Sequence, residues 1–209
     1  MLQPPATGSL FTVSAPSGAG KTSLVKALVD RNQDLCVSVS HTTRAQRPGE
    51  ENGINYHFVD RESFESSAKN GEFFEWAEVF GNLYGTARTE VTARLKQGTD
   101  VILEIDWQGA EQVKAAVPTS CSIFIVPPSL DTLRERLQGR GQDDNKTIES
   151  RMAEAKSELE HWREADYVVL NDRFDIALND LECIIRSQHL RRENQATRLS
   201  DTLSAILSN

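Results

Sequence analysis

No stretch of this 209-residue chain stays apolar long enough to span a membrane. The N-terminus has no basic region followed by an apolar segment, so no export signal is expected. Positive charge is not in excess: 23 Lys and Arg stand against 31 Asp and Glu, a formal net charge of -8. General nucleic-acid binding needs a basic field, and this balance argues against it while leaving room for a local basic pocket. Cysteines are few. Cys36, Cys121 and Cys183 are widely spaced in apolar contexts, so buried free thiols in a reducing, cytoplasmic setting are expected. The histidines His41, His57, His161 and His189 form no metal-ligand spacing. Internal repeats and low-complexity tracts are absent. With 38% hydrophobic and 26% charged residues, what remains is a globular composition, long enough for one α/β unit with small insertions.

The densest signal is Ser14-Ala15-Pro16-Ser17-Gly18-Ala19-Gly20-Lys21-Thr22. Leu10, Phe11 and Val13 before it read as a short buried strand. Leu24, Val25, Ala27, Leu28 and Val29 after it carry the apolar rhythm of a helix. A strand, a Gly-rich turn and a helix opening on Lys-Thr make a phosphate-binding loop. Its backbone N–H groups turn inward around phosphate oxygens, and the helix N-terminus adds partial positive charge. Lys21 supplies a mobile cation, and the Thr22 hydroxyl reaches a Mg²⁺ ion. One position departs from the pattern: Ala15 stands where glycine is usual. Pro16 biases position 15 toward extended backbone, where alanine costs little.

Further on, Leu35–Val39 reads as a second strand, and 40–49 is polar, basic and turn-rich. A strand is expected at Ile54–Val59. A helix is expected from Arg61 to Asn70 with Asp60 as its cap, followed by strands at Phe73–Phe80 and Asn82–Gly85. A helix from Arg88 to Gln97 stops at Gly98. The buried strand Val101–Asp106, a helix from Gln112, the strand Ser122–Val126, a helix over 130–137, a long helix over 148–165 and the strand Tyr167–Leu170 complete the alternation. Residues 176–207 read as helical, with Leu181, Ile184, Ile185 and Leu190 packing on the core. Apolar strands alternating with helices predict a parallel sheet covered on both faces. Residues 40–90 read as a small mixed insertion.

Three further groups carry chemistry. Glu104 and Asp106 end an apolar strand on the same side as the phosphate loop, a usual place for a Mg²⁺-organising carboxylate. On a strand they share one face, and the alternative is a salt-bridged or solvated strand end. Arg134, Arg136, Arg140 and Arg151 flank a Gly-Arg-Gly turn that suits a mobile lid over a triphosphate; taken alone, such a cluster is a solvated helix face. In the insertion, Arg44 and Arg47 with Tyr56 and Tyr84 can hold a phosphate monoester. Glu75 interrupts an aromatic stretch. A carboxylate accepts side by side from guanine N1–H and the 2-amino group, a donor pair that adenine lacks. By pattern alone, an outward-facing strand residue is the simpler reading of Glu75.

Taken together, Ser14–Lys21, Val37–Arg44, Arg47-Pro48-Gly49, Asn55-Tyr56, Phe74-Glu75-Trp76, Gly81–Gly85, Ile105–Gly109, Gly139-Arg140-Gly141 and Asn171-Asp172 resemble the guanylate kinase family of the bacterial soluble type, from about Ser9 to Leu190. Ala15 is a variant that family shows. The resemblance implies a P-loop nucleoside monophosphate kinase fold, with a core of residues 1–39, 91–130 and 155–209, a GMP-binding insertion at 40–90 and a helical lid at 131–154. It implies Mg²⁺-dependent, in-line transfer of the γ-phosphoryl group of ATP to GMP, with dGMP a further expected acceptor, in purine nucleotide metabolism. The implied catalytic groups are Lys21, Arg44, Arg140 and Arg151. ATP is implied to lie on Ala15, Pro16, Ser17, Gly18, Ala19, Gly20, Lys21, Thr22, Arg136, Arg140 and Asn171. GMP is implied to meet Ser40, Arg44, Arg47, Tyr56, Glu75, Tyr84, Thr86, Glu104, Asp106 and Arg151. Thr22 and Asp106 are implied at the metal. Glu104 stands where the family commonly has Asp. The expected partners are ATP and GMP, with no nucleic acid and no membrane.

Two rivals share parts of this pattern. A kinase of a phosphorylated sugar needs neither Glu75 nor Thr86, and a scaffold domain that binds phosphopeptides typically lacks the phosphate loop and lid arginines. This chain has both sets.

Overall fold

The computed structural model describes residues 7–79, 81–139 and 145–208. The first strand, β1 (Leu10–Ser14), is buried along its whole length. It lies in the middle of a five-stranded sheet with both faces buried, Phe11 and Val13 on one and Leu10, Thr12 and Ser14 on the other, as in a parallel sheet between two helical layers. After β1 come α1 (Lys21–Arg31) and β2 (Leu35–Val37). A second body of structure follows: β3 (His41–Thr42), β4 (His57–Phe58), α2 (Arg61–Lys69), β5 (Phe73–Val79) and β6 (Asn82–Ala87). The chain then returns to the first sheet through α3 (Arg88–Lys96), β7 (Asp100–Glu104), α4 (Trp107–Ala116) and β8 (Cys121–Val126). It ends with α5 (Leu130–Gly139), α6 (Asn145–Leu159), a 3₁₀ turn at Glu160–Glu164, β9 (Tyr167–Leu170), α7 (Phe174–His189), α8 (Arg192–Arg198) and α9 (Ser200–Leu207).

The main sheet runs β2-β7-β1-β8-β9, and every neighbouring pair is parallel. Strand alternation sends Phe11, Val13 and Ile102 into a core shared with Leu24, Leu28, Leu178 and Leu181. It sends Leu10, Val101 and Leu103 to the opposite face with Val91 and Val113. The chain leaves β1 toward β2 on one side and later places β8 on the other, so the strand order diverges at β1. Ligands of open α/β sheets bind at such a divergence, outside the strand carboxyl ends. The second sheet, β4-β3-β6-β5, has its own small core of Phe64, Phe73 and Leu83.

Several expectations shift in detail. Of the strand expected over 54–59 only His57–Phe58 forms a strand, with Tyr56 in an isolated bridge to Asn52, because 51–56 folds into turns bonded to their own side chains, such as Asn55 Oδ1 accepting from the Glu51 amide at 2.8 Å. Strand β2 stops at Val37, two residues early. Strand β6 runs through Gly85 to Ala87. Helix α4 starts at Trp107, five residues early, because Asp106 caps it: its Oδ1 accepts from the Gly109 amide at 2.7 Å. The same cap takes Asp106 off the strand, which ends at Glu104, so the two acids do not share a strand face. The helix expected over 148–165 divides into α6 and the 3₁₀ turn. Asp60 caps α2 as expected, accepting from the Ser63 amide at 2.8 Å. Leu181, Ile184 and Ile185 are buried, but Leu190 is 60% exposed. Cys121 is buried, Cys36 is half-buried and Cys183 is exposed, so burial of all three thiols does not hold. Among the described residues no helix is long and apolar enough to cross a membrane.

Candidate active site

The phosphate loop leaves β1 at Ser14 and turns on Gly18 and Gly20, at φ +90° and +95°. Such angles strain any residue with a Cβ. Helix α1 starts at Lys21 without a side-chain cap, so its first amides face the loop. Behind the loop, Asn171 Nδ2 and Arg136 Nη1 donate to the Ala19 carbonyl at 2.7 and 3.2 Å, and Arg136 Nη2 donates to the Asn171 carbonyl at 3.0 Å. In this structure Arg136 and Asn171, both expected at ATP, brace the loop from outside. A Cβ on Gly20 lies 2.4 Å from Asn171 Nδ2. Gly20→Ala therefore meets both a wrong φ and a lost brace. We expect it to raise the KM for ATP by about tenfold or more while GMP binding, read by calorimetry, is unchanged.

Lys21 is half-buried, and its Nζ donates to the Ile105 carbonyl at 3.0 Å. Burial lowers its pKa; the carboxylates of Glu104, Asp106, Glu158 and Glu75 act in the opposite direction. Thr22 Oγ1 donates to Glu104 Oε2 at 3.0 Å. The acid that Thr22 touches is thus Glu104, and one oxygen of Asp106 is committed to the α4 cap. A cleft of about 660 Å³ runs from Ala15–Gly18, Lys21 and Thr22 past Asp106 to Arg151, Glu154 and Glu158 of α6. Glu158 was not singled out in the sequence. Its pKa is raised, chiefly by burial, although the Ser17 amide bonds it and Lys21 faces it. Arg140 lies outside the described residues.

The second sheet brings its polar residues to the same edge. Strand β5 docks on α4 through Gln112, whose side-chain amide accepts from the Trp76 amide and donates to the Trp76 carbonyl, both at 3.2 Å. A register shift between Phe73 and Glu75 turns Glu75 inward, where it is 5% exposed; its neighbour Trp76 is 46% exposed. The outward-facing reading of Glu75 does not hold. Its carboxyl bonds Thr86 and lies over Gly109, where an added Cβ sits 3.0 Å from Oε2. Burial, reinforced by Asp106, pushes the Glu75 carboxyl up to about 7. Ser40 Oγ lies 3.4 Å from Thr86 Oγ1.

Arg44, Tyr56 and Tyr84 gather beside this pair. The Arg44 guanidinium carbon is 5.4 Å from the Tyr56 ring centroid, the two tyrosine rings are 5.9 Å apart, and Arg44 bonds the Tyr84 hydroxyl. Burial raises the Tyr56 pKa, so its hydroxyl stays protonated as a donor. Arg44 also holds Glu50, a residue that no sequence pattern singles out. Among the described residues no group of three or more His, Cys, Asp and Glu side chains is arranged to hold a metal ion.

A glycine loop at the sheet's point of divergence, faced by a pocket of hydroxyls, guanidinium and a buried carboxylate, defines an α/β nucleotide-binding protein of the phosphate-loop class. Comparison with known proteins narrows the class. The guanylate kinase family profile matches residues 8–188. The guanylate kinase of Saccharophagus degradans is 55% identical over 202 residues, covering 97% of this chain and 98% of that protein. That of Shewanella oneidensis is 56% identical over 204 residues, covering 97% and 99%. The crystal structure of guanylate kinase from Anaplasma phagocytophilum superimposes with a TM-score of 0.74 at 34% identity, over 90% of this chain and 89% of that one. The chain belongs to the guanylate kinase family.

Proposed function

We propose that this protein is an ATP:GMP phosphotransferase, and that the pocket formed by Arg44, Tyr56, Glu75, Tyr84 and Thr86 is its GMP site. The enzyme moves the γ-phosphoryl group of ATP to GMP, giving ADP and GDP. The observation that carries the reading is Glu75, a carboxylate buried to 5% exposure and bonded to Thr86; in this reading its two oxygens accept two adjacent donors of a base. Guanine offers that pair.

In this reading Arg44 and Arg47 and the hydroxyls of Tyr56 and Tyr84 hold the GMP phosphate, with Ser40 behind Thr86 and Asp106 beside the nucleoside. The loop amides from Ala15 to Thr22 cradle the ATP phosphates. In this reading Lys21 serves the transferred group, where charge develops, and Arg151 adds positive charge beside it; Arg140, expected there too, lies outside the described residues. The GMP phosphate oxygen is already an anion, so transfer needs positioning and charge stabilisation rather than a strong base. Mg²⁺ fits this site as an ion held mainly by substrate phosphates. Thr22 and Glu104 are the side chains placed to meet it, with Asp106 behind them; it supplies charge neutralisation for the triphosphate. We place the enzyme in the cytoplasm, residues 40–90 as the GMP-binding insertion, and dGMP as a second acceptor.

The test is a coupled kinase assay with ATP and Mg²⁺, offering GMP, AMP, CMP, UMP and a phosphorylated pentose in parallel. Turnover of GMP alone is expected. Turnover of the sugar alone discards the guanine site, and failure to bind ATP discards the reading altogether.

A further inference from the structure

Glu50 lies in the turn after β3, and its carboxylate accepts from the Arg44 side chain and the Arg47 amide of the same loop. Arg44 Nη1 donates to Oε2 at 3.0 Å and Nη2 donates to Oε1 at 2.8 Å, a two-pronged ion pair across the end of the guanidinium. The Arg47 backbone amide donates to Oε2 at 2.8 Å. The Gln46 side-chain amide closes on the Glu50 carbonyl. Arg44 is fixed further by Nη1 donating to the Ala45 carbonyl at 2.7 Å. The pair is largely shielded, with side-chain exposures of 14% for Arg44 and 19% for Glu50. On its other side Arg44 bonds the Tyr84 hydroxyl and lies 5.4 Å from the Tyr56 ring centroid.

A guanidinium has more than one hydrogen-bonding edge. Glu50 takes the end edge, formed by Nη1 and Nη2. The side edge carries Nε, which takes no part in the bonds to Glu50 and Ala45. A free arginine side chain samples many rotamers, and ordering it on binding costs affinity. Here that ordering is already done in the folded chain.

We propose that Glu50 is a positioning residue for the acceptor phosphate: it pins Arg44 and the Arg47 amide in one loop geometry and presents the remaining edge of Arg44, with the tyrosine hydroxyls, to the phosphate monoester of GMP. The inference rests on the GMP-site reading above. It assigns Glu50 a role distinct from that of a competing anion. A carboxylate displaced by phosphate weakens GMP binding, whereas a carboxylate that stays and orients Arg44 strengthens it.

The test measures wild type, Glu50→Ala and Glu50→Gln for kcat, the KM of GMP and the KM of ATP, and compares binding of GMP with that of guanosine, which has no phosphate. Both variants are expected to raise the KM and Kd for GMP by about tenfold or more, the worth of one charge-assisted contact. The KM of ATP and the affinity for guanosine are expected to stay within about twofold of wild type, since neither ligand touches the Arg44 edge. Equal or tighter GMP binding in the variants overturns the proposal in favour of a displaced anion. Parallel losses for guanosine and GMP overturn it in favour of a general collapse of the loop. If wild type itself neither binds nor phosphorylates GMP, the functional reading has failed, and that outcome is separate from both.

Discussion

Replacing Lys21 with alanine is expected to lower kcat for phosphoryl transfer by about 10³-fold, while the KM of GMP changes by less than about threefold. The asymmetry follows from where the ammonium is held. Lys21 is half-buried at the start of α1, tied to the Ile105 carbonyl at 3.0 Å, and faced by the carboxylates of Glu104, Asp106, Glu158 and Glu75. Those acids keep a charge in a place where burial alone disfavours it. In a low-dielectric site a preorganised cation stabilises charge spreading over the transferred phosphoryl more than it stabilises either ground state. Steady-state kinetics with saturating ATP checks this. Matching losses in kcat and in GMP affinity assign Lys21 to ground-state binding. Lys21→Arg is expected to recover little, because the planar guanidinium does not fit the compact, enclosed position of the ammonium.

The second large effect concerns Glu75. Glu75→Gln is expected to reduce the preference for GMP over AMP by about 10³-fold, since a single amide oxygen does not replace two carboxylate oxygens in reading two adjacent donors. The elevated pKa adds a pH signature. With the carboxyl at about 7, a growing fraction is protonated below neutrality and ceases to accept both bonds. Guanosine affinity is therefore expected to weaken as pH falls from 8 to 6 in wild type and to be flat in Glu75→Gln; guanosine avoids the phosphate's own titration. The stability effect has the opposite sense. The ordinary value for the group is 4.5, so between 4.5 and about 7 the folded protein binds the proton more tightly than the unfolded chain does. Stability at this residue is present at low pH and is lost as pH rises through that window, by up to about 3 kcal/mol. Glu75→Gln should then melt at a higher temperature than wild type at pH 8 and near the same temperature at pH 4.5. A variant that keeps its GMP preference, or shows no pH-dependent gain in melting temperature, removes the buried carboxylate from recognition.

The phosphate loop was legible because its chemistry is local. A strand, two positive-φ glycines and a helix opening on Lys21 occupy one continuous stretch, and the apolar rhythms on either side announce the strand and helix that hold it. The parallel sheet was legible for a similar reason: strands such as Ile123–Val126 are apolar on both faces and alternate with helices. The acids were harder. Strand alternation placed Glu104 and Asp106 on one face, but the cap on Gly109 ended the strand and gave Asp106 a helix to start. Side-chain capping competes with strand continuation over two residues, and apolar periodicity does not register that competition. Glu50 escaped notice altogether, since its partners Arg44 and Arg47 are close in sequence yet meet it only when the turn closes.

By itself, then, the sequence determined the fold class, the triphosphate loop and, through its combination of short motifs, the family resemblance, because each is written in neighbouring residues whose backbone and periodicity constrain one another. Tertiary structure alone decided which way Glu75 faces, which acid meets Thr22, and that Arg136 and Asn171 brace the loop from behind. Those outcomes depend on a bulge in β5, a cap on α4 and the docking of Gln112 against Trp76. They join segments tens of residues apart, and only packing sets their orientation.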